Sequence, residues 1–259
     1  MKIPKVVSIY ALFPFSTETA SFQQWFIKVM RDVDSRLLPG RYGQFFPLKK
    51  NIVDDDFEPF IALEKDVEWR GRARGIEGRW FKTCSPPQGL YSYFKILTKI
   101  SSTNQPPVAS SLMQLFECAC RKWPVHIGSI HYNSSHEVAE QIAWDTDNQV
   151  IFGPINIRWL EMCLPNIAWG TFFGKPYVDL IGAERFESAP AARVERWLDG
   201  YYVQLTDRIE DREDNWEFYR SRRDAVKEHL GRNLFFIPGQ PRDQYLAPKF
   251  QTLPVSPAE

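Results

Sequence analysis

The segment 90–132, LYSYFKILTKISSTNQPPVASSLMQLFECACRKWPVHIGSIHY, decides the fold class of this chain. Its first part, 90–100, alternates apolar and polar residues with a period of two, which predicts a half-buried strand. Two prolines then precede apolar residues at helical spacing over 108–122, which predict a helix that Pro124 ends. Residues 125–132 predict a further strand. A strand, a helix and another strand therefore follow one another in this segment.

Outward from this segment, strands and helices continue in mixed order without an internal repeat. Residues 5–13 are rich in Val and Ile and predict a strand, and helical spacing of apolar residues predicts an amphipathic helix over 18–37. The last third predicts a strand at 168–173, a short helix at 175–182, a hairpin of 193–198 with 201–206, and a helix at 215–230. The hairpin is predicted to turn at Asp199-Gly200 because a two-residue Asp-Gly loop favours a type I′ turn.

These elements predict an α+β fold in which helices pack on antiparallel sheet. We expect a single compact domain over residues 1–237 and a proline-rich, extended C-terminal tail over 238–259. The stretch 51–78 fits no single periodic pattern, and we assign it no more than one helix.

Composition excludes several classes of protein. The chain has 259 residues with 32 basic and 32 acidic side chains, so it lacks the basic excess typical of nucleic-acid-binding domains. The mean hydropathy is -0.37, and no run of about 18 apolar residues marks a membrane span. The apolar N-terminal stretch is interrupted by Ser8 and Pro14 and followed by Glu18, which favours a first strand over a signal peptide. We therefore expect a cytoplasmic protein without a membrane or nucleic-acid partner.

No motif for catalysis, cofactor binding or metal binding stands out. The glycines form no phosphate-binding pattern, and no Gly-x-Ser-x-Gly elbow is present. His126, His131 and His136 lack the spacing of a metal-ligand set. The cysteines, expected to be free thiols, are Cys84, Cys118, Cys120 and Cys163. We expect no metal, no cofactor and no enzymatic activity. The sequence leaves open a hydrolase whose site is assembled from distant residues, such as a Cys–His pair or paired carboxylates.

Charge and aromatic residues supply the candidate partner-binding site. Residues 54–68 hold seven acids and one base, and the following block is basic. Solvated faces that partly neutralise each other are the simpler interpretation, and an acidic surface for a basic partner is the alternative. Tryptophan is enriched among interface hot spots, and two tryptophans lie among these charges. The candidate residues are Asp54, Asp55, Asp56, Glu58, Trp69 and Trp80.

Three C-terminal stretches resemble a known family. They are CRKWPVHIGSIHY (120–132), IAWGTFFGKPYVDLIG (167–182) and GYYVQLTDRIEDREDNWEFYRSRRDAVKEHLG (200–231). A helix ending near a Trp-Pro turn, a Trp-containing strand entering a short helix, and a strand leading into an Asp-rich helix start resemble the immunity protein 52 family. That family belongs to bacterial polymorphic-toxin and type VI secretion systems. The resemblance covers about residues 88–230, and its motifs are structural rather than catalytic.

The resemblance implies a non-enzymatic cytoplasmic antidote that binds one cognate toxin encoded by a neighbouring gene. Relatives usually face toxins with a restriction-endonuclease-like fold, which implies a nuclease toxin. The acidic residues 54–58 would then occupy a basic nuclease cleft. A scaffold protein of the secretion machinery is the second alternative beside the hydrolase. The aromatic content, 15% of the chain, is also compatible with a homodimer.

Overall fold

The computed structural model describes residues 6–64, 66–82, 91–99, 108–133, 136, 155 and 157–250. Their contacts divide into two compact units, Val6–Val125 and His126–Phe250. Each unit combines antiparallel strands with helices. The α+β class predicted from the sequence is confirmed.

The described residues of the first unit form six antiparallel strands. They are β1 (Val6–Phe13), β2 (Pro39–Gly43), β3 (Lys50–Asn51), β4 (Asp66–Gly71), β5 (Ile76–Phe81) and β6 (Ser92–Lys99). Their order across the sheet is β3-β2-β4-β5-β6-β1. The helices are α1 (Ala20–Val33), α2 (Glu58–Ile61) and α3 (Val108–Lys122). The predicted helix 108–122 is confirmed as α3, and the predicted strands 5–13 and 90–100 are observed as β1 and β6 within the described residues.

Helix α1 is shorter than the predicted 18–37. The hydroxyl of Thr19 accepts a hydrogen bond from the Phe22 backbone N–H and caps its start. The helix ends at Val33 because Asp34 has an extended backbone, with φ -166°. The Asp34 carboxylate accepts a hydrogen bond from the Arg36 backbone N–H and begins a separate 3₁₀ turn. Asp34 therefore ends α1 and caps a new turn, which is why the helix is shorter than predicted.

A cluster of aromatic side chains fills the core between α1 and this sheet. The Phe26 ring lies 4.9 Å from the Trp80 ring and 6.0 Å from the Trp69 ring. Both tryptophans are fully buried. The prediction that Trp69 and Trp80 form an exposed contact surface is therefore wrong. Their neighbours in sequence are charged because alternate strand residues point to the opposite face of the sheet.

The β4–β5 hairpin lies in the stretch that was assigned no more than one helix. Helix α2 is that helix, and the two strands were missed. The period-two pattern is present at Val67 and Trp69, and again at Ile76 and Trp80, all of them buried. Charged residues at the alternate positions masked it.

The second unit has its own antiparallel strands and helices among the described residues. The strands are β7 (Ile127–Tyr132), β8 (Gly170–Phe173), β9 (Arg193–Trp197) and β10 (Gly200–Gln204), in the order β7-β8-β10-β9. The helices are α4 (Lys175–Ile181), α5 (Ala183–Glu187), α6 (Asp211–Asp214) and α7 (Trp216–Gly231). The predicted strands, short helix, hairpin and long helix of this part are all observed.

The β9–β10 turn lies one residue before its predicted place. Gly200 pairs with Trp197, so the two-residue loop is Leu198-Asp199. Leu198 carries the positive φ, at 50°. A Cβ atom on Gly200 would lie 2.4 Å from the Phe172 ring and from the Phe173 carbonyl oxygen. Gly200 is thus needed for close packing inside β10 rather than for the turn.

The described part of the tail packs on the second unit. The Tyr245 hydroxyl donates a hydrogen bond to the Ile237 carbonyl oxygen over 2.8 Å. The Phe250 ring lies 5.2 Å from the His126 ring and 5.8 Å from the Tyr177 ring. The tail boundary at residue 238 stays a prediction.

Candidate functional site

The loop between β2 and β3 exposes two adjacent aromatic side chains. Phe45 is 80% exposed and Phe46 is 50% exposed. Among the described large apolar side chains, Phe45 is the most exposed. The Arg70 guanidinium of β4 lies 5.5 Å from the centre of the Phe46 ring, in cation–π contact. We call Phe45, Phe46 and Arg70 the aromatic tip.

The base of this hairpin is fixed to the core. Tyr42 is buried, and its ring lies 5.7 Å from the Phe60 ring in an edge-on arrangement. Tyr42 also pairs with Trp69 across the strands. On the other side it pairs with Lys50, whose ammonium lies 5.8 Å from the Tyr42 ring centre. The β2–β3 hairpin therefore has a base buried in the core and a tip exposed to solvent.

A basic groove of 1270 Å³ lies beside the aromatic tip. Its walls are residues 40–41 and 51–52, the segment 70–77 that contains the β4–β5 turn, and one residue of β6. Its charged lining consists of five cations and one acid: Arg41, Arg70, Arg72, Arg74, Lys99 and Glu77. Arg41 and Arg70 are neighbours in the β2–β4 register, so their side chains leave the same face of the sheet.

Backbone hydrogen bonds hold the β4–β5 turn in place. The Arg72 N–H donates to the Leu38 carbonyl over 3.0 Å, and the Lys99 N–H donates to the Gly75 carbonyl over 3.0 Å. Gly75 has φ 86°, a conformation that glycine adopts without steric strain. The groove is therefore formed by the fold itself.

The acidic residues predicted as a partner-binding patch lie next to this groove. Asp54, Asp55, Asp56 and Glu58 are all exposed. Asp55 forms an ion pair with Arg72 of the groove. The Asp56 carboxylate accepts a hydrogen bond of 3.0 Å from the Glu58 backbone N–H at the start of α2. The structure brings the four acids together, with two of them engaged locally.

A buried lysine stands apart from this surface. Lys82 is fully buried, and its ammonium donates hydrogen bonds to the carbonyls of Ile61 (2.5 Å) and Leu63 (2.7 Å). It also lies 4.6 Å from the Trp80 ring centre. Burial lowers the pKa of Lys82 to about 8. These contacts join the end of α2 to β5.

The histidines and cysteines considered for catalysis or metal binding lie in surroundings that suit a structural role. His126 and His131 are buried. Burial raises the pKa of the Cys163 thiol to about 12 and that of Cys120 well above its ordinary value, which disfavours the reactive thiolate. Cys84 lies outside the described residues. Within the described ranges, no group of three His, Cys, Asp or Glu residues is placed to hold a metal ion.

The helices of the described ranges differ from membrane-spanning segments. None of them has both the length and the apolar character that a membrane-spanning helix needs.

The sequence interpretation missed the aromatic tip and the groove. The Phe45-Phe46 pair stands beside Pro47 and two lysines, a composition that marks it as a loop with apolar residues. The sequence indicates the groove less clearly, because its cations come from β2, β4, the β4–β5 turn and β6. Only strand pairing brings them together.

Comparison with solved structures identifies a common fold. The type VI secretion system protein PA0821 of Pseudomonas aeruginosa matches over 93% of this chain and 80% of its own length, with a TM-score of 0.54 and 14% identity. At this identity the likeness concerns the fold alone. The toxic C-terminal tip of Pseudomonas aeruginosa CdiA in complex with its immune protein matches over 52% of this chain and 91% of that chain, with 10% identity. Its TM-score of 0.22 is too low to support an argument.

No protein-family model matches the sequence, and no curated protein matches it either. Membership of the immunity protein 52 family therefore stays a prediction.

Proposed function

We propose that this protein is a cytoplasmic immunity protein that binds and neutralises the cognate toxin of a type VI secretion system. The observation that carries the proposal is the aromatic tip. Two exposed phenylalanines with a stacked arginine, on a hairpin whose base is buried, have the composition of a protein-interface hot spot. The fold shared with a type VI secretion protein supports this context.

The aromatic tip suits tight binding for two reasons. A hairpin anchored by Tyr42 loses little conformational freedom on binding, which lowers the free-energy cost of association. Burial of one phenylalanine side chain in a partner's pocket contributes about 1.5–3 kcal/mol. An antidote needs such tight binding because a single free toxin molecule is harmful.

We further propose that the toxin is a nuclease. The exposed acids Asp54, Asp56 and Glu58 belong to the segment whose Asp55 pairs with Arg72 of the groove, and they offer negative charge to a basic nuclease surface. Asp55 contributes less, since Arg72 already neutralises it. Degradation of plasmid DNA or cellular RNA when the toxin is expressed alone would identify it as a nuclease.

Co-expression with the adjacent gene tests the proposed function. The neighbouring product is induced alone in a heterologous bacterium and then together with this protein. We expect growth arrest with nucleic-acid degradation in the first case, and rescue with a co-purifying 1:1 complex in the second. A toxic neighbour that this protein fails to neutralise contradicts the proposal. Stable binding to a structural secretion component without neutralisation favours the scaffold alternative, and turnover of a substrate panel favours the hydrolase.

The Phe45→Ala/Phe46→Ala double variant tests the aromatic tip. We expect its thermal stability to stay within about 0.5 kcal/mol of wild type, because both side chains are exposed. We expect its affinity for the toxin to fall by at least tenfold, since hot-spot truncations lose about 2 kcal/mol or more. Isothermal titration calorimetry measures this change.

Phe218→Ala is the matched control. Phe218 is 43% exposed, and the Arg222 guanidinium lies 5.6 Å from its ring centre, but it lies on α7 of the second unit. We expect this variant to bind the toxin as wild type does. Equal affinities of the tip variant and wild type would remove the aromatic tip from the interface.

A further inference from the structure

The cations of the basic groove exceed the acids that face them. Of the five lining cations, Arg72 has an ion pair with Asp55. Arg41, Arg70, Arg74 and Lys99 form no ion pair with any described residue. Arg70 stacks on Phe46 and lies opposite Glu77 in the β4–β5 register. Glu77 is the single acid of the described lining. A fixed cluster of like charges that outnumbers its counter-charges raises the free energy of the unbound protein and favours an anionic ligand.

We infer that the basic groove binds an acidic segment of the protein partner, adjacent to the aromatic tip. This inference rests on the proposed function, because the partner is taken to be the toxin. The groove supplies the electrostatic part of recognition, and the aromatic tip supplies the apolar part. Arg70 belongs to both, since it lines the groove and stacks on Phe46.

The chemistry of the lining fits carboxylates. Guanidinium groups form paired, parallel hydrogen bonds with a carboxylate, which a lysine ammonium does not. Four of the five cations are arginines. The groove's volume of 1270 Å³ exceeds the 300–1,000 Å³ usual for small-molecule pockets. It therefore accommodates several side chains of a peptide segment.

The surroundings favour an acidic protein segment over a nucleic acid. Asp55 pairs with Arg72 of the groove and is flanked in sequence by the exposed acids Asp54 and Asp56, and this negative charge would repel a continuous run of phosphates. A protein segment places its carboxylates at separate positions and leaves the neighbouring surface neutral or basic. The whole chain also has zero net charge, so no long-range positive field attracts nucleic acid.

The groove is shaped before the partner arrives. The turn that carries Arg72 and Arg74 is fixed by backbone hydrogen bonds from Arg72 to Leu38 and from Lys99 to Gly75. Binding therefore requires little ordering of the backbone, and arginine side chains bear most of the adjustment. We expect the groove to bind an isolated acidic peptide, even without the remainder of the partner.

The test uses the folded, full-length protein at low ionic strength and a fluorescein-labelled twenty-residue peptide in which ten glutamates alternate with ten glycines, so that its carboxylates are separated. The groove variant is Arg41→Glu/Arg74→Glu. The control is Lys28→Glu/Arg242→Glu, which makes the same change in net charge at two exposed positions outside the groove. We expect fluorescence anisotropy to report a peptide affinity at least tenfold weaker for the groove variant and within twofold of wild type for the control. Salt should weaken wild-type binding, since the Debye length falls from about 10 Å at 0.1 M to about 3 Å at 1 M.

Three outcomes overturn the inference. They are absence of peptide binding to wild type, equal loss in groove and control variants, and tighter binding of a ten-nucleotide single-stranded DNA than of the peptide. Far-UV circular dichroism checks folding, and Arg41→Gln/Arg74→Gln replaces the groove variant if charge reversal prevents folding.

The toxin assay separates this inference from the proposed function. Failure of wild type to neutralise the toxin removes the proposed function. If the groove variant still neutralises the toxin with unchanged affinity, only the inference that the groove binds the toxin is contradicted.

Discussion

Gly78 shows at the residue scale how tightly the aromatic core is packed. A Cβ atom at this position would lie 2.1 Å from the Trp69 indole, which is fully buried between strand and helix. We predict that Gly78→Ala lowers the free energy of unfolding by about 1–3 kcal/mol, because the overlap forces Trp69 against Phe26. Urea unfolding measures the change.

Gly40→Ala is the matched control for this substitution. Gly40 also lies in a strand of the same sheet, but the nearest atom to its added Cβ is 3.6 Å away, an ordinary contact. We expect a change within about 0.5 kcal/mol. Equal effects of the two alanines would mean that loss of glycine, rather than overlap with Trp69, determines the result.

Lys82 gives the first unit a pH dependence of defined sign. Its pKa is lowered to about 8 in the folded protein from an ordinary 10.5. Between these values the unfolded chain binds more protons, so the free energy of unfolding rises with pH, with an upper limit of about 1.4 kcal/mol per pH unit. The cysteines oppose this effect above about pH 8, because the pKa values of Cys118, Cys120 and Cys163 are raised in the folded protein. We therefore predict the rise as a difference between wild type and a variant that lacks this ammonium.

Comparison with Lys82→Met isolates this effect. We expect the urea midpoint of wild type to rise relative to that of Lys82→Met between pH 8 and 9, because the cysteines affect both proteins alike. Lys28→Met, at an exposed position of α1, should show the same rise. A difference in midpoint between wild type and Lys82→Met that stays constant between pH 8 and 9 would contradict the assignment of the rise to this ammonium.

At the scale of elements, the β9–β10 turn contains a residue poorly suited to its conformation. Leu198 has φ 50° and is 51% exposed. Asparagine tolerates this left-handed conformation better than leucine. We predict that Leu198→Asn raises the free energy of unfolding by about 0.5–1 kcal/mol, measured by thermal unfolding.

Leu246→Asn controls for the loss of an exposed leucine. Leu246 is comparably exposed and is not among the described residues with a positive φ. We expect no increase in stability from this variant. An equal increase at both positions would point to solubility or the unfolded chain rather than to the turn.

The elements differ in how far the sequence determined them. Helix α3 was predicted at both ends because prolines flank it and its apolar spacing is continuous. The β4–β5 hairpin was missed because charged residues alternate with Val67 and Trp69 and dominate the local composition. The hairpin turn at Leu198 was displaced by one residue because the packing need at Gly200 arises from Phe172, which is distant in sequence.

At the scale of the whole molecule, charge balance hides local segregation. The net charge is zero, yet the acidic segment 54–58 is joined through the Asp55–Arg72 ion pair to a groove lined by five cations. Exposed charges act over about a Debye length, 8–10 Å in physiological salt, so a partner meets these patches rather than the average. Sequence runs revealed the acidic patch, whereas Arg41 and Lys99 join the groove only through the order of strands. This is why the α+β class followed from the sequence and the groove did not.

The enclosure of Lys82 has a consequence for covalent chemistry. An amine with a pKa near 8 is a competent nucleophile toward acylating reagents in mildly alkaline buffer, but this one is sealed behind the carbonyls of Ile61 and Leu63. Its acylation therefore requires that the end of α2 separate from β5. The rate at which Lys82 becomes acylated, followed by mass spectrometry, would measure the rate of local opening in the first unit. Lys82 would therefore report local opening of the native protein without an introduced probe.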